Sequence, residues 1–360
     1  MNTIQINKLD FNGQNIFVGI DVHLKSWSVA VLSESCFLKK ISQDPSPKAL
    51  YKFLTTNYPG ACYHSVYEAG FSGFWAHEQL VQLGINNIVV NAADVPTMMK
   101  EKLRKTDAVD CAKLARGLRS GDLIGIYVPQ REALEIRSLI RLRGQIIKDM
   151  TRDKNRIKAF LYFYGITFPE QFDRPGTHWS KRFMQWLKEI ELSTVYGRKA
   201  LDLHIRKAES QRDLLLQETR FIKELSRCEQ LKDDMRLITS VPGIGISIGI
   251  SFLAEIGDIS RYKNAYKLAS YIGLIPMCHS SGEKENDGEL TIRKHAALRW
   301  QIIEAAWKAI GSDPAMNVAY EGYKKRMVGN KAIVKIARKL VNRIFFVLKY
   351  KQEYVTCVAQ

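Results

Sequence analysis

Over roughly the first 120 residues, short apolar runs alternate with polar turns, and the period of the alternation changes along the chain. Ile16–Val22 (IFVGIDV) and Trp27–Leu32 (WSVAVL) are brief, rich in β-branched residues and bounded by polar turns, which predicts two strands. Phe37–Ile41 predicts a third, completing an antiparallel meander. Pro47–Thr56 has helical spacing, Cys62–Ala69 alternates as a strand, Ser72–Leu83 is helical and stops at Gly84, and Asn87–Asn91 is a compact apolar strand. Asp107–Leu118 is helical again, with Val109, Ala112, Leu114, Ala115 and Leu118 on one face. A meander followed by alternating helix and strand predicts an α/β domain: a mixed sheet with helices on its faces.

From about Glu132 to Arg236, charged residues interleave with Leu and Ile at spacings of three and four. This predicts two long amphipathic helices, about 131–163 and 197–232, forming an antiparallel hairpin or coiled coil. Residues 165–196 between them carry Pro169, Pro175, Gly176 and the aromatics Phe168, Phe172, Trp179 and Phe183, an elaborated tip. Beyond Leu237 the chain reads as mostly α. Val241–Ile246 (VPGIGI) links two helical stretches, Leu268–Ile275 is apolar, and Met277–Thr291 reads as a polar loop. Helices follow at about Ile292–Ile310 and Pro314–Met327, and a final one at Lys331–Tyr350. The expected domains are 1–125, 126–235 as a linker and oligomerisation region, and 236–360.

Composition narrows the function. The 360 residues hold 54 Lys+Arg against 37 Asp+Glu, a net charge of +17. With 46% hydrophobic and 25% charged residues, wholesale disorder is excluded. No apolar run approaches the ~18 residues of a membrane span, and the polar start MNTIQINKLDFNGQN is not a signal peptide. Six scattered cysteines form no CxxC pair, which argues against a zinc knuckle or a disulfide framework and fits a reducing cytoplasm. The basic excess lies downstream: +3 in residues 1–120, +6 in 121–240 and +8 in 241–360. Lys324–Lys351 holds ten basic residues and no acidic one, a self-repelling run unless a polyanion neutralises it. Lys331, Lys335, Arg338 and Lys339 are its candidate nucleic-acid contacts.

Four acids are candidates for chemistry. Asp21 ends the first strand, Glu68 ends the fourth, and Asp107 and Asp110 open a helix three residues apart, on one face. Taken singly, they read as a turn residue, a solvated strand end, a helix N-cap and a charge favoured near a helix N-terminus. Taken together, strand ends on one sheet edge and a helical turn facing that edge bring four carboxylates to one place. They repel one another unless a cation binds; Mg²⁺ suits oxygen ligands, and two ions about 4 Å apart would polarise a phosphodiester. Downstream, Val241-Pro-Gly-Ile-Gly resembles a helix-hairpin-helix turn, whose Gly243 and Gly245 let a backbone approach a phosphate. The same glycines also suit an ordinary helix–helix connection. Ser280 and Ser281 precede Gly282 in the polar loop; by residues alone this is an exposed loop, because a serine is a weak nucleophile until activated.

The motifs GIDVHLKSWSVAV, YEAGFSG and KTDAVDCAKLARG resemble the three acidic blocks of the DEDD-type insertion-sequence transposases related to Piv DNA invertases. LASYIGLIPMCHSSGEKENDGELTIRKHAALRW resembles that family's C-terminal block. The resemblance covers about residues 15–120 and 235–310. It implies an RNase H-like (RuvC-like) N-terminal domain, metal ligation (Mg²⁺ or Mn²⁺) by Asp21, Glu68, Asp107 and Asp110, and phosphate contact by Lys105. It implies a serine nucleophile, Ser281 first and Ser280 next, with Arg293 and Lys294 retained beside it. SSGE stands where SSGG is usual, and Ile292–His295 replaces a Lys-Arg-Gly-Asn pattern. The implied activity is DNA transposition through a serine–DNA intermediate. The implied partners are element-end and target DNA, a non-coding guide RNA and further copies of the chain, dimer or tetramer; no membrane is involved, and the location is cytoplasmic at the nucleoid. The alternative is a RuvC-like junction endonuclease, which needs the acids but not the serine.

Overall fold

A computed structural model describes residues 11–97, 107–281 and 284–356; the side chains of 107–108, 278–281 and 284–288 fall outside that description. The chain divides into two compact units, Met1–Val128 and Pro129–Gln360.

The first unit is built on a five-stranded sheet of β1 (Asn15–Val22), β2 (Trp27–Leu32), β3 (Phe37–Gln43), β4 (Cys62–Glu68) and β5 (Asn86–Val90), in the order β3-β2-β1-β4-β5. The meander β1-β2-β3 is antiparallel, and β4 and β5 run parallel to β1. Parallel neighbours need crossovers, and α1 (Pro47–Asn57) and α2 (Trp75–Gln82) supply them. Strand alternation then sorts the faces. Ile16, Val18, Ile20 and Val22, with Val29 and Tyr67, bury against Leu50, Leu54, Ala76 and Leu80 of α1 and α2. The opposite face carries Ala30, Leu32, Val66 and Val90, covered by Cys111, Leu114 and Ala115 of α3 (Asp107–Ser120). Pro47 at the first turn of α1 and the Ser46 hydroxyl accepting from Ala49 N–H start that helix where the sequence predicts.

In the second unit, α4 (Arg131–Phe163) and α6 (Val195–Leu225) form the hairpin. It is antiparallel: Arg143 meets Glu218 at 3.1 Å and Lys207 meets Asp153 at 3.1 Å. α6 ends before the predicted 232, because residues 226–231 turn on their own backbone bonds ahead of α7 (Lys232–Thr239). The tip, with α5 (Lys181–Glu189), has a separate small core of Ile157, Leu161, Phe172, Phe183, Leu187, Leu201 and Ile205. Ile140 and Ile222 at the hairpin base join the C-terminal core. That core is formed by α7, α8 (Ile246–Ile256), α9 (Ala265–Ile272), α10 (Ala296–Ser312), α11 (Pro314–Lys324) and α12 (Gly329–Tyr350). α12 buries Ala332, Ile333, Ile336, Ala337, Leu340, Val341 and Ile344 in it.

The second unit overturns a further expectation. The segment expected as a loop, Met277–Thr291, is mostly an antiparallel ribbon of β6 (Pro276–Ser281) and β7 (Lys284–Leu290). KENDGEL lacks the β-branched residues that mark strands. Cross-strand backbone pairing makes it one, and a propensity reading does not see that pairing.

Candidate active site

β1 and β4 are neighbours in register, with Gly19 beside Val66 and Ile20 beside Tyr67. Side chains two residues apart share a face, so Asp21 and Glu68 both leave the sheet on the face of Gly19 and Val66, the one α3 covers. Gly19 sets how closely α3 lies: a Cβ there would stand 2.0 Å from Cys111 O and 2.5 Å from Ala115 N. Without that side chain the helix backbone rests on the strand, and Asp110 comes to the strand ends. The Lys113 ammonium, on a side chain only 11% exposed, lies 3.2 Å from Asp110 Oδ1 and 3.6 Å from Glu68 Oε1. His23 Nε2 lies 3.1 Å from Asp21 Oδ2.

The structure thus places Asp21, Glu68 and Asp110 at one edge of one sheet face, with Glu68 and Asp110 about a common cation. Asp107 opens α3 one turn before Asp110, its side chain outside the described residues, and Lys105 lies outside them altogether. Among the described residues, no group of three His, Cys, Asp or Glu side chains is close enough to hold a metal ion. The donors are nevertheless all carboxylate oxygens, and two already share an ammonium. That chemistry fits a hard divalent cation such as Mg²⁺. Lys113 is invisible as a site residue in the pattern, although its position three residues after Asp110 on one helical face is a usable signal.

In the second unit the two glycines of the PGIG turn separate in role. Gly243 has φ +89°, and a Cβ on it would stand 2.3 Å from Ala305 O and 2.9 Å from Ala309 N, so it meets the backbone of α10. Gly245 is exposed, caps α8 without a side chain, and has nothing within 4 Å of an added Cβ. Of the two, Gly245 is the one a phosphate could reach. Ser281 pairs with Lys284 at the tip of the ribbon and Ser280 pairs with Glu285, their side chains outside the described residues. Arg293 and Lys294 are exposed on the segment leading into α10. Lys331, Lys335 and Lys339 form an exposed stripe on α12, with Arg338 over the Tyr266 ring at 5.4 Å.

The sequence reading missed the group that anchors this region, the buried carboxylate Glu255 on α8. Arg141 of the hairpin donates to it bidentately at 2.7 and 2.9 Å, Arg137 lies 3.3 Å away, and His295 Nε2 lies at 3.2 Å. His295 caps α10 by accepting from Leu298 N–H at Nδ1, so its proton sits on Nε2, toward Glu255. Burial pushes the Glu255 pKa up, but the hydrogen bonds from His295 and Arg141 and the charge of Arg141 outweigh it and bring the value to about 2. Gly273, at φ +88°, holds the same segment from the other side: its missing side chain leaves room for Lys294.

Comparison with known proteins agrees with these two regions. Residues 18–166 match the family model DEDD_Tnp_IS110, described as a transposase. Residues 235–321 match the model described as the Transposase IS116/IS110/IS902 family. The transposase of insertion sequence IS1533 from Leptospira borgpetersenii is 24% identical over 82% of this chain and 85% of its own length. That of IS1111A from Coxiella burnetii is 25% identical over 66% of this chain and 63% of its own length. A Sinorhizobium fredii protein named as a transposase, y4qE, is 25% identical over 81% of this chain and 71% of its own length. The chain belongs to the IS116/IS110/IS902 family of insertion-sequence transposases, of DEDD type. Among the described residues, no helix is long and apolar enough to cross a membrane.

Proposed function

We propose that the chain is a DNA recombinase in which Asp21, Glu68, Asp107 and Asp110 hold Mg²⁺ or Mn²⁺ at a scissile phosphodiester and Ser281 is the nucleophile, with Ser280 next in line. The observation that carries this reading is that Asp21 and Glu68 end neighbouring strands on the sheet face that α3 covers, with Glu68 and Asp110 sharing Lys113. The strand order β3-β2-β1-β4-β5, a meander followed by parallel strands, supports assigning the first unit to the RNase H-like (RuvC-like) fold. A bound divalent cation would neutralise and polarise the phosphate.

The remaining steps belong to the chain's own residues. The serine oxygen attacks phosphorus and loses its proton, and the strand-end hydroxyl leaves. The hydroxyl of a second strand end then attacks the same phosphorus and frees the serine. Each step exchanges one ester bond for another, so no ATP is consumed. Gly245, Arg293, Lys294 and the Lys331–Lys339 stripe contact phosphates and position the DNA without reading bases. A non-coding guide RNA selects target and donor DNA, two or four copies of the chain assemble on them, and the work takes place at the nucleoid. The basic excess supports a nucleic-acid partner.

The test is to incubate element-end DNA with the protein and Mg²⁺ and resolve the products under denaturing conditions. The expected result is a protein–DNA adduct that Ser281→Ala and Asp21→Asn each abolish. Cleavage that persists in the Ser280→Ala/Ser281→Ala double variant, with no adduct at any time, would instead establish a junction endonuclease. Mixing a serine-dead chain with an acid-dead chain tests assembly, since restored activity requires copies that share their sites.

A further inference from the structure

A cavity in the second unit lies at the hairpin tip, between α4, α5 and α6. Its volume is about 470 Å³, within the range of roughly 300–1,000 Å³ found for small-ligand sites. Met150, Met184 and Leu215 supply apolar wall, and Trp179 supplies an aromatic one. The Trp179 ring meets Phe183 in a T-shaped contact and has the Lys154 ammonium 5.3 Å from its centroid. A flexible charged stem, rather than packed core, therefore covers that part of the ring.

Of the six polar side chains in the lining, four are cations, Lys154, Lys181, Lys188 and Arg212, and one is the neutral Gln185. The one carboxylate, Glu209, is tied to Lys188 at 2.7 Å. Lys154, Lys181 and Arg212 have no carboxylate within salt-bridge distance among the described residues. Burial pushes the Lys154 pKa down, and nearby Arg212 and Lys158 push it further, so like charges are gathered here at a cost. Trp179 itself sits at φ +68°, in the left-handed region that residues with a β-carbon avoid; strain of this kind collects at binding sites. An apolar slot with an aromatic wall and a rim of cations complements a flat ring that carries phosphates.

We propose that this cavity binds an unpaired nucleobase of a single nucleic-acid strand, stacked on Trp179, with Lys154, Lys181 and Arg212 on the flanking phosphates. The proposal rests on the reading that the chain works on nucleic acid, and on neither the carboxylates nor the serine. Because every base has a π-face, the site is tolerant of sequence. It requires the base to be out of a duplex.

The full chain is photo-crosslinked to short single strands carrying 5-iodouridine (RNA) or 5-iodo-2′-deoxyuridine (DNA), with a duplex as control, and the adducts are mapped by mass spectrometry. The expected crosslink lies on the peptide containing Trp179, and whichever strand forms it identifies the source as RNA or DNA. Trp179→Ala is expected to lower single-strand affinity about tenfold, and Trp179→Phe to retain most of it. Because Trp179 also touches the tip core, Lys154→Gln/Arg212→Gln provides a second variant; it should weaken strand binding and flatten its salt dependence without lowering the melting temperature. Crosslinks confined to other peptides, equal losses for duplex and single strand, or a changed oligomeric state with unaltered strand binding would overturn the proposal. Loss of catalysis in Asp21→Asn with the crosslink intact would leave it standing.

Discussion

Gly19→Ala tests the central physical claim about the acid site, that α3 is placed by backbone contact with β1. The new Cβ would stand 2.0 Å from Cys111 O and 2.5 Å from Ala115 N. Both are backbone atoms, so no rotamer change relieves the clash. Restoring an ordinary carbon–oxygen separation of about 3.3 Å moves α3 off the strand by about 1.3 Å. The buried contacts of Cys111, Leu114 and Ala115, all at most 1% exposed, loosen together. Overpacking costs about 1–3 kcal/mol, and the upper end applies where the neighbour is a rigid helix; a melting temperature lower by about 10 °C follows. Asp107 and Asp110 move with the helix, and a displacement of about 1 Å at a reacting centre costs on the order of 100-fold in rate. The assay pairs a thermal melt with Mg²⁺-dependent cleavage of element-end DNA. The control is Gly144→Ala in α4, where an added Cβ meets nothing within 4 Å; it should be neutral or stabilising by about 0.5–1 kcal/mol. A Gly19→Ala protein that melts and cleaves like the parent would refute the placement of α3.

Four further outcomes rest on other contacts. Lys113→Met leaves Glu68 and Asp110 facing each other without a cation, so its melting temperature without metal should fall and then rise with added Mg²⁺ more steeply than that of the parent; equal Mg²⁺ responses would refute the shared-cation arrangement. Glu255 has a folded pKa of about 2 against an ordinary 4.5, so its ionised form stabilises the fold above pH 4.5 by about 3 kcal/mol, and this stability is lost as the pH falls toward 2. Urea midpoints should therefore place Glu255→Gln well below the parent at pH 7, with the gap shrinking by about half at pH 3. Gly245→Asp supplies an N-cap side chain and a charge favoured at a helix N-terminus, so the melting temperature should hold or rise while DNA affinity drops; unchanged affinity would remove this turn from the DNA interface. Gly243→Ala, in contrast, should destabilise the fold through Ala305.

Much of this protein is local in origin, and to that extent the sequence alone determined it. Alternation of period two marks β1, β2, β4 and β5, and period 3.6 marks α3, α4 and α12, because the same residues that repeat along the chain must share a buried face. α4 begins at Arg131 and ends at Phe163, as the spacing predicts. The acids at Asp21, Glu68 and Asp110 were legible because strand ends and a helical turn are positions that a one-dimensional pattern can place. Tertiary structure alone decided which non-local partner fills each space. Gly19 and Gly243 look like any other glycines until Cys111 O and Ala305 O are brought against them. Lys113 becomes a site residue only when β4 delivers Glu68, and Glu255 only when the hairpin delivers Arg141. The serine segment became a ribbon through backbone bonds to a strand without strand-like side chains. Periodicity records which face of an element is buried, whereas close approach, shared charge and cross-strand pairing depend on what another part of the chain places opposite that face.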